Sequence, residues 1–253
     1  MRILLKIWVL AAVILIFSHL GYALTCKVIP RQINIDLFYH GGRVIVTGET
    51  ASDTNILVKI SSPEDSEIFM KKGKVKGIFW MNVEKLIFEG IPQVYFTFSS
   101  DKNLDGDLNE KEKQKWGVGY QILEKSFEVS SVKNSIQKHA LFEELVKFKQ
   151  REHLWGRFKD KVHFSPVEKK KKVYKLVIDW PPNIPPNVYL VDVYAMKNGV
   201  VVDHAQNSIE VRKIGIEKTL STLAEKNGAV YGIISILVAL GAGVITGVIF
   251  KKK

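Results

Sequence analysis

The chain has 253 residues, with 37 lysines and arginines against 26 aspartates and glutamates, and a formal net charge of +11. With 46% apolar residues and a mean hydropathy of +0.03, it is too polar for a polytopic transporter and too apolar for a disordered chain. Its single cysteine excludes an internal disulfide and any cysteine-based zinc or iron–sulfur centre.

Residues 1–23 predict a secretory signal peptide. Arg2 and Lys6 give the positive start, residues 7–17 an uncharged apolar run, and Gly21-Tyr22-Ala23 a small-x-small cleavage site. That run is too short for a membrane span, which takes about 20 residues. Two other readings stay open: an uncleaved anchor extended to Leu24, and lipidation of Cys26, where Thr25 replaces the usual small residue.

Residues 24–130 form a β-rich N-terminal module. Residues 32–37 alternate polar and apolar, Gly41-Gly42 turns the chain, and residues 43–47 repeat the β pattern. Further strands are expected at 56–60, 67–70, 78–83, 85–89 and 94–98, with Pro63, Gly73, Gly90 and Pro92 as breakers. Residues 131–156 form a helical segment in which Val132, Ile136, Leu141, Leu145 and Phe148 share one side. Residues 157–213 return to β, with strands at 173–179, 188–196 and 200–203, the last two joined by an Asn198-Gly199 hairpin turn. The expected fold is mainly β: one or more Ig-like β-sandwich modules with an inserted amphipathic helix, plus a C-terminal transmembrane helix. Trp80, Trp116, Trp155 and Trp180 read as packing residues rather than a sugar platform.

Residues 214–228 give a juxtamembrane amphipathic helix, with Ile216, Leu220 and Leu223 at helical spacing. Residues 229–250 hold no charge over 22 positions, and a helix of that length rises about 33 Å across a hydrocarbon core of about 30 Å. The tail 251–253 is Lys-Lys-Lys, which places the C-terminus in the cytoplasm and the body outside it. The expected protein is single-pass in the cell's inner (plasma) membrane, with an extracytoplasmic body. Setting aside Arg2, Lys6 and the tail lysines leaves 32 basic residues against 26 acidic ones, so that body carries +6. Its lysine runs read as solvated turns and protected strand edges, not as a nucleic-acid surface; an anionic lipid surface suits the excess better.

Several short stretches carry a resemblance. They are Lys76-Gly77-Ile78-Phe79-Trp80-Met81-Asn82, Ile91-Pro92-Gln93-Val94-Tyr95, Trp116-Gly117-Val118-Gly119-Tyr120, and Val188-Tyr189-Leu190-Val191-Asp192-Val193-Tyr194 before Asn198-Gly199. Lys213-Ile214-Gly215-Ile216-Glu217 and Tyr231-Gly232 complete the series. In this order they resemble a transmembrane protein family first described in Alphaproteobacteria. Met81 departs from its more usual Trp-Val-Asn. The resemblance implies a signal peptide, an extracytoplasmic body and one C-terminal span, and it transfers no catalytic residues.

The sharpest motif is the acidic loop 101–112, which fits the twelve-residue EF-hand pattern. Asp101, Asn103, Asp105 and Glu112 would supply oxygen ligands, Asp107 its backbone carbonyl, Gly106 the sharp turn and Leu108 the apolar anchor. Hard oxygen donors in this number suit Ca²⁺, although residues 95–98 predict a strand where an EF-hand has its first helix. The histidines show no H-x-H or H-E-x-x-H spacing, and no G-x-S-x-G or G-x-x-x-x-G-K motif occurs. No enzyme is expected. In the span, Ser235, Ala239, Gly243 and Gly247 recur every four residues, a stripe that permits close helix association with itself or another membrane protein. The leading expectation is a bitopic protein that binds or assists an envelope component such as a permease. The rival is a calcium-dependent adhesion or ligand-binding module.

Overall fold

The computed structural model describes residues 24–75, 79–102, 108–130, 132, 134–165 and 171–250. In the first half the strands are β1 (Lys27–Ile29), β2 (Gln32–Ile35), β3 (Gly42–Ala51), β4 (Asn55–Ser61), β5 (Glu64–Val75), β6 (Phe79–Pro92) and β7 (Tyr95–Ser99). Helices α1 (Glu110–Trp116) and α2 (Tyr120–Ser126), the short β8 (Glu128–Val129) and helix α3 (Ser135–Arg151) follow. The second half holds β9 (Trp155–Phe158), β10 (Val162–Phe164), β11 (Lys171–Trp180), β12 (Asn187–Lys197) and β13 (Val200–Lys213). Helices α4 (Gly215–Lys226) and α5 (Gly228–Phe250) complete the chain.

Two sheets face each other, in the orders β1-β3-β11-β10 and β2-β13-β12-β4-β7-β9. Val44, Val46, Leu176, Ile178 and Trp180 from the first meet Ile56, Val58, Phe96, Val191, Val193 and Ile209 from the second in one core. Both sheets mix strands from 24–130 and 157–213, so the two β-rich stretches build one composite sandwich. Neither stretch completes either of these two sheets by itself: β3 finds its partner β11 more than a hundred residues away.

The second sheet is covered on its outer side as well, which explains why every residue of β7 is buried. A separate layer, β5-β6-β8 with α2 and α3, closes a second core around Leu86, Phe88, Tyr95, Phe127, Phe142, Leu145 and Trp155. The strands expected at 78–83 and 85–89 are one continuous β6, because no breaker separates them and Glu84 stays paired with Lys71 across a register shift. The stripe expected on α3 holds at Leu145, at Leu141 beside the second core and at Phe148 against Phe69, and is corrected elsewhere. Phe142, Leu145 and Lys149 are the buried residues, while Ile136 is exposed. Lys149 can face inward because Glu67 and the Gln93 carbonyl receive its ammonium.

Asn198 and Gly199 both adopt positive φ, 52° and 77°, the type I′ geometry their sequence demands. That turn marks one end of the sandwich, the crown. At the other end, the base, β2 runs parallel to β13 with Ile35 opposite Lys213, and the Ile214 N–H donates to the Ile35 carbonyl at 2.9 Å. The connections 36–41 and 181–186 therefore lie beside the point where the chain leaves for α4 and α5.

Candidate functional site

Of the five expected calcium ligands, Asn103, Asp105 and Asp107 lie outside the described residues, as does Gly106. Asp101 follows strand β7, so the loop is entered from a strand, as its sequence implied. The exit is a capped helix. Asn109 caps α1, its Oδ1 accepting the Glu112 N–H at 2.9 Å, and Gly117 ends the helix at φ 61°.

Leu108 is buried with Leu57, Val118, Tyr194 and Met196, and the Asn109 N–H donates to the Gly199 carbonyl at 3.0 Å. Glu112 Oε2 accepts from Trp116 Nε1 at 2.9 Å and from the Val201 N–H at 3.3 Å. The crown hairpin thus braces the loop's exit from a distant part of the sequence.

Beneath α1 lies a polar cluster that motif reading missed. Asp192 on β12 stands opposite Lys59 on β4 and Gln206 on β13, so strand register alone brings the three together. Lys59 Nζ is 3.4 Å from Asp192 Oδ2, while Oδ1 accepts from Gln206 Nε2 at 2.7 Å and lies 3.1 Å from His204 Nε2. The Lys59 ammonium also donates to the Trp116 carbonyl at 2.8 Å, and the His204 ring sits 4.9 Å from both Trp116 and Tyr194. Burial, with Asp192 adding to it, pushes the Tyr194 phenol well above its ordinary range. This arrangement locks α1 onto the sheet. The signal in the sequence was a lone carboxylate within Val191-Asp192-Val193.

The β5–β6 pair forms an arm. Its inner half packs Phe69 against Phe88 and edge-on to Phe148 of α3, with ring centroids 4.7 and 5.6 Å apart. Five large apolar side chains, Ile68, Met70, Phe79, Met81 and Val83, remain 50–65% exposed. At the base, a cleft of about 890 Å³ is lined by Phe96, Phe98, Phe158, Trp155 and Trp180 with His40 and His153. Trp155 and Trp180 are buried packing residues as expected, Trp116 covers the Asp192 cluster, and the Trp80 side chain lies outside the description.

Helix α5 has 23 residues, and no part of its apolar window is buried in the protein. Ser235, Ala239, Gly243 and Gly247 fall one above another with a drift of about 40° per step. Among the described residues nothing approaches within 4 Å of a side chain built at Gly243 or Gly247, and Ser235 Oγ donates to the Tyr231 carbonyl at 2.8 Å. The stripe is open for contact from outside the chain.

The family model described as "Putative transmembrane protein (Alph_Pro_TM)" matches residues 23–252. None of the curated proteins compared with the chain matches it. The match takes in the sandwich, the arm and α5 together, so the chain belongs to this transmembrane family and is a membrane-anchored protein with a single C-terminal span.

Proposed function

We propose that this is a non-enzymatic, bitopic protein of the cell's inner membrane whose exported Ig-like sandwich binds or assists another envelope component, a polytopic permease being one form. The arm carries this reading. Five large apolar side chains stand exposed on one strand pair, and clusters of this kind mark interaction sites. The open stripe on α5 offers a second contact within the bilayer, with itself or with the partner. The Ig-like assignment draws on strand order: β1 and β2 divide between the sheets, and β2 pairs in parallel with the last strand, β13.

Export of the body draws support from Leu24. Its backbone nitrogen donates to Asp203 Oδ2 at 2.7 Å, so cleavage after Ala23 would leave an ammonium facing a carboxylate. Gly48 lets this segment cross closely, since a Cβ there would fall 1.8 Å from the Thr25 carbonyl. Cys26 packs against the core, and burial pushes its thiol up to about 11.

The test places a photoreactive phenylalanine analogue at Met81 in the full chain, in its own membranes. We expect one discrete adduct from Met81 and none from Val202 near the crown, and N-terminal sequencing that begins at Leu24. Equal labelling from the two positions removes the binding role, and a start at Met1 removes the cleaved signal.

The calcium-dependent adhesion or ligand-binding module is a second reading, favoured by the capped exit helix and the bracing by the crown hairpin. Asp101, Asn103, Asp105, Asp107 and Glu112 would hold Ca²⁺ with extracellular-type affinity, on the order of 10⁻⁴–10⁻³ M. Calorimetric titration of the detergent-solubilised full chain should then show binding that Asp105→Ala abolishes. Absence of heat in the unaltered chain ends this reading.

A further inference from the structure

We propose that the turn carrying Leu37 and Phe38 rests in the headgroup–acyl boundary of the bilayer that α5 crosses, giving the sandwich a second membrane contact and a fixed orientation. Phe38 is 81% exposed, the most exposed large apolar side chain among the described residues, and Leu37 beside it is 60% exposed. The turn presents them rigidly. Asp36 Oδ1 accepts the Phe38 N–H at 2.9 Å, the Asp36 carbonyl accepts the Tyr39 N–H at 3.1 Å, and Tyr39 packs against the core.

Position selects the occupant. Ile35 lies opposite Lys213, and Ile214 bonds back to Ile35, so Leu37 and Phe38 project from the same end as the membrane connection. Helix α4 does not lift the base away as a straight stalk. Asn227, at φ −141° and ψ 61°, interrupts its path into α5, and Thr222 shares a hollow with Val188, Arg212 and Lys213. The twelve residues of α4 rise only about 18 Å, which bounds how far the base can stand from the spanning segment. Partly exposed Ile214 and Leu220 extend the apolar rim. Because α5 is covalently joined to this end, the lipid surface is always present at high effective concentration, whereas a protein partner would have to displace it. Each side chain of this size that enters the boundary favours the docked orientation by about tenfold or more. This inference does not depend on what the arm binds.

The test uses the full chain carrying Cys26→Ser and Phe38→Cys, labelled with a polarity-sensitive nitrobenzoxadiazole probe in phosphatidylcholine–phosphatidylglycerol vesicles. A companion labelled at Val202→Cys reports from roughly 36 Å farther along β13. We expect blue-shifted emission at position 38 and quenching by lipids carrying a headgroup-level nitroxide in about nine molecules of ten. The label at position 202 should show neither. Adding Leu37→Asp should lower the ratio of docked to lifted molecules by about tenfold. If the probe at 38 is as water-like and unquenched as the probe at 202, the contact does not exist. If Leu37→Asp leaves a quenched signal unchanged, the turn is not what holds the base to the bilayer.

Discussion

Replacing Lys149 with alanine is expected to cost about 3 kcal/mol of stability and to free the arm from α3. The Lys149 side chain is 2% exposed, pairs with Glu67, and donates to the Gln93 carbonyl at 3.2 Å. Removing it leaves a mostly shielded carboxylate and a carbonyl without their cation. Breaking a buried pair in this way usually costs about 3–5 kcal/mol, and the 19% exposure of Glu67 sets the lower end here. The loss is directional, since the same contact holds Phe69 against Phe148. Denaturant unfolding of the full chain in micelles, with limited proteolysis of the arm, measures both effects. A Lys149→Met, Glu67→Leu double variant should recover most of the stability, because it leaves neither charge stranded. A loss below about 1 kcal/mol for Lys149→Ala would mean that the pair is not held in solution.

Asp192→Ala carries the second large effect, about 3 kcal/mol, for a related reason. Its carboxylate is the shared acceptor for Lys59, His204 and Gln206, and it is 7% exposed against 14% for Lys59. Without it the lysine is left nearly buried beside Tyr194, able to keep only its bond to the Trp116 carbonyl. Trp116 and α1 should loosen together, seen as increased acrylamide quenching of Trp116 fluorescence against a Trp116→Phe reference. Asp192→Asn keeps one oxygen acceptor and should fall between the two. An alanine variant as stable as the unaltered chain, with Trp116 equally protected, would show that the cluster does not hold the helix. The cluster also links the crown to the loop: Glu112 holds the Trp116 indole, and Trp116 covers Asp192. Ion binding at the loop, where it occurs, would therefore be felt at that tryptophan.

By itself the sequence determined those features whose physics is local. An uncharged run ending in three lysines specifies a span, Asn198-Gly199 specifies a tight turn, and alternation in 32–37 specifies a strand with one buried face. It also marked Leu108 as an apolar anchor. Only the tertiary structure decided which distant faces meet. Periodicity shows that a side is buried without naming what buries it, so β3 pairing with β11 and two sequence modules becoming one sandwich were not legible. The same limit hid the Lys149–Glu67 pair, the convergence on Asp192 and the place of Phe38 beside the membrane connection. Each depends on how segments far apart in the chain meet, by strand register or by a helix packing on a sheet, and the assembled core fixes that rather than neighbouring residues.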